Sequence, residues 1–321
     1  RSFHVTGVQT CALPISTLKE WLERMEKLHP VAIDMGLDRV VKVRDSLGLA
    51  FAGPVITVGG TNGKGSTCAM LEAVLLAAGY RVGLYTSPHL LRYNERVRID
   101  GVPVDDGRLC EAFSRVEQSR DGVSLTYFEF GTLAAWQLFC DAKLDVLVME
   151  VGLGGRLDAV NAFDPDCAVV TSIGIDHVDY LGPTRESIGF EKAGIFRPGR
   201  AAICGDPHPP HTLIDHAMAI GADLQILGRD FGYLGDRQQW KYWGRALSRA
   251  SLAPPAGDVT GGGGASYLST RRSSRASRGG RAGRAPPAVR GRDQLRAQPL
   301  RLPAQRDRKS TRLNSSHVKR S

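Results

Sequence analysis

The chain contains 321 residues, of which 42% are hydrophobic and 23% are charged. This length and composition indicate a globular protein of about two domains. No apolar stretch reaches the roughly 18 residues that a membrane span needs, and no leader of basic and then apolar residues is visible. The six cysteines are scattered without a CxxC pair, which excludes a cysteine zinc site. We therefore expect a cytoplasmic protein with reduced thiols and no membrane partner.

Charge is distributed unevenly along the chain. The formal net charge is +9, but residues 231–321 alone carry +16 and residues 1–230 carry −7. The positive net charge therefore does not indicate a folded surface that binds nucleic acid. Binding of nucleic acid by the basic segment is an alternative. It is disfavoured because Tyr267 is the only aromatic residue after Trp243, which leaves no stacking surface for bases.

Composition also divides the chain into three segments. Residues 1–15 show no helical or strand periodicity, and residues 16–230 alternate between predicted helices and strands. From about Ser248 onward the composition shifts to Arg, Gly, Ala, Pro and Ser, and few large apolar residues remain. Because such a segment has little material for a core, we expect it to be disordered.

Local signals predict helices and strands in alternation. Thr17 and Glu20 form a capping-box pattern at the start of a helix that ends before Pro30. The predicted strands are 55–58, 81–85, 144–151 and 167–173, and the later predicted helices are 66–78 and 126–139. This alternation predicts an α/β fold with a doubly wound, mostly parallel sheet and helices on both faces.

The turn at residues 59–66, GGTNGKGS, predicts a phosphate-binding loop. Glycines leave the backbone N–H groups accessible, and the following helix offers its positive N-terminus. Lys64 would reach the β- and γ-phosphates of a nucleotide. The spacing departs from G-x-x-x-x-G-K-[ST] because one glycine follows the lysine, and a tight turn with an incidental lysine is the alternative. The predicted nucleotide-binding residues are Gly60, Thr61, Asn62, Gly63, Lys64, Gly65 and Ser66.

Three polar residues lie at or just past the ends of predicted strands or in the loop that follows: Ser87, Glu150 and His177. Ligands of open parallel sheets gather at the carboxyl ends of strands. A hydroxyl and a carboxylate suit Mg²⁺, whereas an imidazole is a less usual ligand for it. Each residue also has a structural interpretation alone: a turn before Pro88, a carboxylate paired with a buried arginine, and a core histidine.

Two further segments are ambiguous from the residues alone. Lys192 stands beside apolar residues and is interpreted as a surface lysine whose stem covers them. Thr126 and Glu129 form a capping box, while Tyr127 and Phe128 between them could stack on a planar ring.

These motifs together resemble the folylpolyglutamate synthase/dihydrofolate synthase family, a group of Mur-ligase-like amide-bond synthetases. The resemblance extends from about residue 16 to residue 228. GTNGKGS marks the broader family, and SPHL, LTYFE and GLGGRLDA narrow it to the folate enzymes. LHPVAIDMGLDRV, GIDHVDYLG and EKAGIF also match.

The resemblance implies ATP-dependent ligation of L-glutamate to dihydropteroate or folates through an acyl phosphate. Thr61 to Lys64 would hold ATP, and Ser87, Glu150 and His177 would hold Mg²⁺. Lys192 matches the lysine that the family carbamoylates to bind a second metal ion, which replaces the surface interpretation. Catalytic roles are implied for Lys64, Lys192 and His177. The implied pterin pocket comprises Thr126, Tyr127, Phe128, Glu129 and Leu157, together with residues 32–34.

The ends of the chain depart from the family pattern. We expect residues 1–15 to be non-native and residues 231–321 to be disordered or out of frame, since nothing there matches the family's C-terminal ligase domain. We accordingly expect a monomer with impaired ligase turnover. Two alternatives are a nucleotide-binding fragment without ligase turnover and a Mur-type cell-wall amino-acid ligase, which SPHL and LTYFE disfavour.

Overall fold

The computed structural model describes residues 17–235 and 240–244. The predicted non-native segment, residues 1–15, and most of the basic segment, residues 231–321, lie outside these residues. The helices are α1 Leu18–Met25, α2 Asp38–Leu47, α3 Lys64–Ala77, α4 Asp106–Ser119, α5 Tyr127–Asp141, α6 Val178–Leu181, α7 Arg185–Ala193 and α8 His211–Ala219. The strands are β1 Val55–Gly59, β2 Val82–Tyr85, β3 Val97–Ile99, β4 Val102–Pro103, β5 Val146–Glu150, β6 Cys167–Val170, β7 Ala201–Cys204, β8 Asp223–Ile226, β9 Phe231–Gly235 and β10 Trp240–Gly244.

Eight strands form one sheet in the order β4-β3-β2-β5-β1-β6-β7-β8. Strands β2, β5, β1, β6, β7 and β8 run parallel to one another, and the β3–β4 hairpin adds two antiparallel strands beside β2. Buried parallel strands of this kind require helices on both faces. The predicted doubly wound, mostly parallel α/β fold is therefore confirmed.

Alternating side chains of the central strands divide the core between the two faces of the sheet. In β1, Val55 belongs to a cluster with α1, α2, α4 and α5, whereas Ile56 and Val58 pack with Leu71 and Leu75 of α3. Burying each such side chain contributes about 1.5–3 kcal/mol. Helix α3 thereby lies firmly against the strand from which its own N-terminal loop begins.

Local predictions hold where capping and apolar runs are strong. The Thr17 capping box is present, and α1 ends at Met25 rather than near Pro30. The β3–β4 hairpin and α4 were not predicted. Among the described residues, all five cysteines are free, and no helix is long and apolar enough to cross a membrane.

The expected disorder after residue 230 is wrong for two short segments. Strands β9 and β10 pair antiparallel there, and Phe231 is buried against the cluster that contains Ile56. Aromatic residues such as Tyr242 favour extended structure and pack against this cluster. The proposed domain limit at residue 230 therefore cuts off a hairpin that adds to the same core.

Candidate nucleotide and substrate site

The parallel strands bring separate loops together at one edge of the sheet. Strand β1 lies between β5 and β6, with Val58 opposite Glu150 and Gly59 opposite Val170. Strand β2 pairs with the other side of β5 and ends at Tyr85. The glycine-rich loop, Glu150 and the segments that carry Ser87 and His177 therefore follow adjacent strands, as the sequence predicts.

The glycine-rich loop is held by the segment that follows β6. The Thr61 N–H donates to the Ser172 carbonyl at 2.8 Å, and the Asn62 N–H donates to Ser172 Oγ at 3.2 Å. Thr171 Oγ1 donates to the Asn62 carbonyl at 2.7 Å. These bonds fix the Thr61 and Asn62 N–H groups and the Asn62 carbonyl of the loop to the neighbouring segment.

Helix α3 begins two residues earlier than predicted. Gly63 precedes it with a φ of 83°, so Lys64, Gly65 and Ser66 lie in the first helical turn, where N–H groups have no partner within the helix. The Lys64 ammonium donates to the Gly60 and Thr61 carbonyls at 3.1 and 3.4 Å. This places the cation over the loop, next to the N-terminus of the helix, where an anion binds well.

Gly60 is expected to tolerate no side chain. Its φ is 140°, and a Cβ would lie 1.9 Å from Thr171 Oγ1. Gly60→Ala should therefore lower the thermal midpoint, with a cost of about 1–3 kcal/mol. Gly48→Ala is the control, because Gly48 also has a positive φ but has open space around it. Equal losses of stability in the two variants would contradict the steric argument.

Glu150 ends β5 as a buried carboxylate, 4% exposed. Its Oε2 accepts the Ser87 N–H at 3.1 Å, and its oxygens lie 3.7 and 3.8 Å from the position of a Cβ on Gly65. Burial raises the pKa of this carboxyl, and the Ser87 N–H and the Lys64 charge partly oppose the effect. No buried arginine pairs with it in the described residues, so a bound cation would stabilise its ionised form.

His177 occupies a different kind of position. It precedes the short helix α6 with a φ of 50°, and its side chain is 55% exposed, with Nε2 3.7 Å from Asp176 Oδ2. It lines the same cavity as Ser87. The core interpretation of this histidine is therefore wrong, and its role as a metal ligand stays a prediction.

Lys192 is buried rather than on the surface. It lies on α7 and is 3% exposed, and Ile188, one turn before it, is also buried. Burial lowers its pKa to about 8, helped by the Lys64 charge and opposed by Asp176 and Asp158. The interpretation from the residues alone is wrong because it did not consider which face of α7 packs against the core.

A cavity of about 520 Å³ opens beside these loops. The predicted pocket residues all line it: residues 32–34, Thr126, Tyr127, Phe128, Glu129 and Leu157. The Thr126 capping box is also present, so the two interpretations of this segment are compatible. Phe128 packs against Gly152, where a Cβ would lie 2.7 Å from the ring.

Arg39 was not predicted, although it holds two walls of the cavity together. Its guanidinium donates to Asp34 Oδ2 at 2.7 Å and to Glu129 Oε1 at 3.0 Å. Asp34 also contacts His29 Nε2 at 3.1 Å. Arg39 stands on α2 within the motif LHPVAIDMGLDRV, five positions after Asp34, and this motif was the available signal. Its contact with Glu129, 90 positions away, could not be read from a local pattern.

The carboxylate of Glu150 and the hydroxyl of Ser87 are oxygen donors, which fit Mg²⁺ better than a softer metal. The described residues hold no group of three or more His, Cys, Asp or Glu side chains that could bind a metal ion by themselves. Mg²⁺ commonly uses one or two carboxylates and completes its shell with phosphate oxygens and water. Glu150 beside the glycine-rich loop fits this arrangement.

The fold is an α/β domain of the Mur ligase type, since residues 58–204 match the Mur ligase middle domain. The chain is 53% identical over 228 residues to the dihydrofolate synthase/folylpolyglutamate synthase of Escherichia coli K12. The aligned region covers 71% of this chain and 54% of the E. coli protein. The protein of the same name from Mycobacterium tuberculosis is 33% identical over 275 residues. The aligned region covers 79% of this chain and 56% of the M. tuberculosis protein.

Solved structures agree with these sequence matches. E. coli FolC in complex with DHPP and ADP has a TM-score of 0.71 at 52% identity, covering 72% of this chain and 56% of that one. A bifunctional folylpolyglutamate synthase/dihydrofolate synthase with Mn, AMPPNP and L-glutamate bound has a TM-score of 0.68 at 50% identity, covering 72% and 56%.

The chain is therefore similar to members of the dihydrofolate synthase/folylpolyglutamate synthase family. It spans about half the length of the curated relatives that it matches, and this coverage fits their N-terminal part. The predicted resemblance to this family is confirmed.

Proposed function

We propose that this chain provides the nucleotide and pterin-acid site of an ATP-dependent ligase that joins L-glutamate to dihydropteroate or to folates. One observation carries the proposal. A glycine-rich loop at the start of α3, the buried carboxylate of Glu150 and a 520 Å³ cavity lie together at the carboxyl ends of adjacent strands. This arrangement is suited to moving a phosphoryl group from a nucleotide to an acid in the cavity.

In the proposed reaction, the substrate carboxylate attacks the γ-phosphate of ATP and gives an acyl phosphate and ADP. The amine of L-glutamate then forms the amide and displaces phosphate. Lys64 and the first N–H groups of α3 neutralise the charge that develops on the phosphates. The loop fixes the phosphate position, and the cavity wall orients the acid, which is where most of the catalytic effect of such sites arises.

A divalent cation completes the proposed site. Glu150 and Ser87 offer hard oxygen ligands beside the loop, and His177 on the cavity wall is the proposed further ligand. Mg²⁺ would screen the phosphate charges and orient them. Carbamoylation of Lys192, with a second ion on the carbamate, belongs to the same proposal. Its support is the burial of the lysine and its lowered pKa, since only a neutral amine adds CO₂.

The cavity is the proposed site of the pterin ring. Its wall combines the aromatic residues Tyr127 and Phe128 with the acidic groups of Asp34, Glu129 and Asp158. Aromatic side chains can stack on a planar heterocycle, while carboxylates accept its N–H groups. Burial raises the pKa of Asp158 to about 6. We propose a monomeric unit, without nucleic acid or membrane partners.

Calorimetric titration of the chain with Mg·AMPPNP and with dihydropteroate tests this function. Saturable binding of both compounds is expected. Binding of nucleotide without dihydropteroate, together with binding of a UDP-linked cell-wall precursor, would favour a Mur-type cell-wall ligase. Absence of nucleotide binding by the folded chain would contradict the proposal as a whole.

Glu150→Gln is expected to remove the stabilisation that Mg²⁺ adds in the presence of AMPPNP. The amide keeps the shape of the side chain but offers a neutral oxygen, which Mg²⁺ binds poorly. The thermal midpoint should be measured with AMPPNP, with and without Mg²⁺. Glu23→Gln, an exposed change on α1, should keep the full shift. An unchanged Mg²⁺-dependent shift in Glu150→Gln would make this carboxylate structural.

A further inference from the structure

Arg96 differs from the other partly buried arginines of the described residues. Each of the others, Arg39, Arg44, Arg98, Arg120, Arg156, Arg197 and Arg200, has a carboxylate oxygen within 4 Å. Arg96 has no such partner within the part of the chain that the structure describes. It is nevertheless part of the wall of the 520 Å³ cavity.

The protein holds the Arg96 guanidinium in place without neutralising it. The group lies over the rings of Tyr93 and Tyr127, with its carbon 5.3 and 5.6 Å from the ring centres. Its Nε donates to His89 Nδ1 at 2.9 Å. Burial lowers the pKa of His89, as does the Arg96 charge, which keeps the imidazole neutral and able to accept this bond.

The nearest carboxylate in sequence is already occupied. Glu95 accepts the backbone N–H groups of Leu90, Leu91 and Arg92 at 2.7, 3.0 and 2.8 Å. The N–H donors of Nη1 and Nη2 of Arg96 thus have no protein acceptor among the described residues. They belong to a side chain that lines the cavity, and a guanidinium fork matches a carboxylate in geometry and charge.

Four acidic residues line the cavity; three of them already have partners in the protein, and the fourth, Glu26, is exposed directly after α1. Asp34 and Glu129 are bound by Arg39, and Asp158 accepts the N–H groups of Leu153 and Val160. Among the described residues, Arg96 is therefore the arginine or lysine of this wall that a ligand can still pair with. A ligand that fills the cavity and carries an anionic end would satisfy it.

We infer that Arg96 binds the carboxylate of the ligand in the cavity and so selects an aromatic acid over its neutral analogue. The inference rests on the proposed function, because it assigns the cavity to a pterin acid. Tyr93, Tyr127 and His89 position the guanidinium. Arg96 is then a specificity-determining residue in addition to the loop, the carboxylate and the lysine described above.

The test compares pteroate with its carboxamide, in which the anionic oxygen pair is replaced by a neutral amide. Both are titrated into the chain without nucleotide and with EDTA, so that no metal ion can contribute to a preference for the acid. The unaltered chain should bind pteroate about tenfold or more tightly than the carboxamide, as expected for a charge-assisted pair. Equal affinities would overturn the inference directly.

Arg96→Met and Arg96→Gln should bring the ratio of the two affinities close to one, because the carboxamide does not need the cation. A merely structural role would weaken both ligands equally and leave the ratio unchanged, which would also overturn the inference. Arg108→Met is the matched control, since Arg108 is exposed on α4 and should keep the original ratio. Failure of the unaltered chain to bind either compound would instead contradict the proposed pterin site.

Discussion

Lys64→Ala is expected to weaken the binding of Mg·AMPPNP by about 100-fold. The Lys64 ammonium lies over the glycine-rich loop, bonded only to the carbonyls of Gly60 and Thr61 within the described residues. In the complex, the Lys64 ammonium would donate to a charged phosphate oxygen instead of these neutral carbonyls. The alanine variant cannot make these charge-assisted bonds. Isothermal titration calorimetry at fixed Mg²⁺ measures the change.

Lys143→Ala is the control for loss of one positive charge. Lys143 is exposed and precedes β5. Because β5 is parallel to β1, this residue lies at the opposite end of the strands from the glycine-rich loop. It should change the affinity by less than about twofold, because screening weakens charges at such a distance. Equal affinities of the Lys64→Ala variant and the unaltered chain would remove the loop from the nucleotide site.

Lys192→Met is expected to stabilise the protein at pH 7. Methionine keeps the length of the side chain but removes an ammonium that is 3% exposed and forms no ion pair with a described residue. The pKa of Lys192 falls from 10.5 to about 8, which corresponds to a cost of up to about 3 kcal/mol when the group is charged. Urea denaturation in CO₂-free buffer measures the gain.

The pH dependence of this gain follows from the lowered pKa of Lys192. Below pH 8 the lysine is protonated in both the folded and the unfolded protein, so the cost of burying the charge is fully present. Between pH 8 and 10.5 the unfolded chain binds more protons, and the unaltered protein becomes more stable as the pH rises. The advantage of Lys192→Met should shrink over this range. A constant advantage from pH 7 to 10 would contradict the assignment.

Conversion of Lys192 to a carbamate adds a second arm to this experiment. Bicarbonate at pH 8 would replace a costly cation by an anion that a metal ion can bind. If carbamoylation occurs, bicarbonate with Mg²⁺ should stabilise the unaltered chain and leave Lys192→Met unaffected. Equal responses of the two proteins would contradict carbamoylation of Lys192.

The sequence predicted features that depend on neighbouring residues. The Thr126 capping box, the apolar run of β5 and the glycine-rich loop each fall within a few positions of one another, so their physical causes are visible in the chain itself. Helix α3 begins at Lys64 rather than at the predicted Ser66. Here Gly63 occupies the position before the helix, with a positive φ instead of a side-chain bond.

Contacts between distant segments could not be predicted in the same way. Arg39 pairs with Glu129, which lies 90 positions away, and Arg96 lies over Tyr127 from another part of the fold. Both contacts depend on how the helices pack on the sheet. Burial of Lys192 was accessible in principle, since the apolar Ile188 lies one turn before it on the same face of α7.

Thr171 and Ser172 give the glycine-rich loop its shape before any nucleotide arrives. Most of the conformational entropy of this loop is therefore lost during folding, so binding of nucleotide does not have to order the loop. Association with nucleotide should then involve little backbone rearrangement. Single-phase kinetics, with a rate proportional to nucleotide concentration and no slower isomerisation step, are the signature of such a rigid receptor.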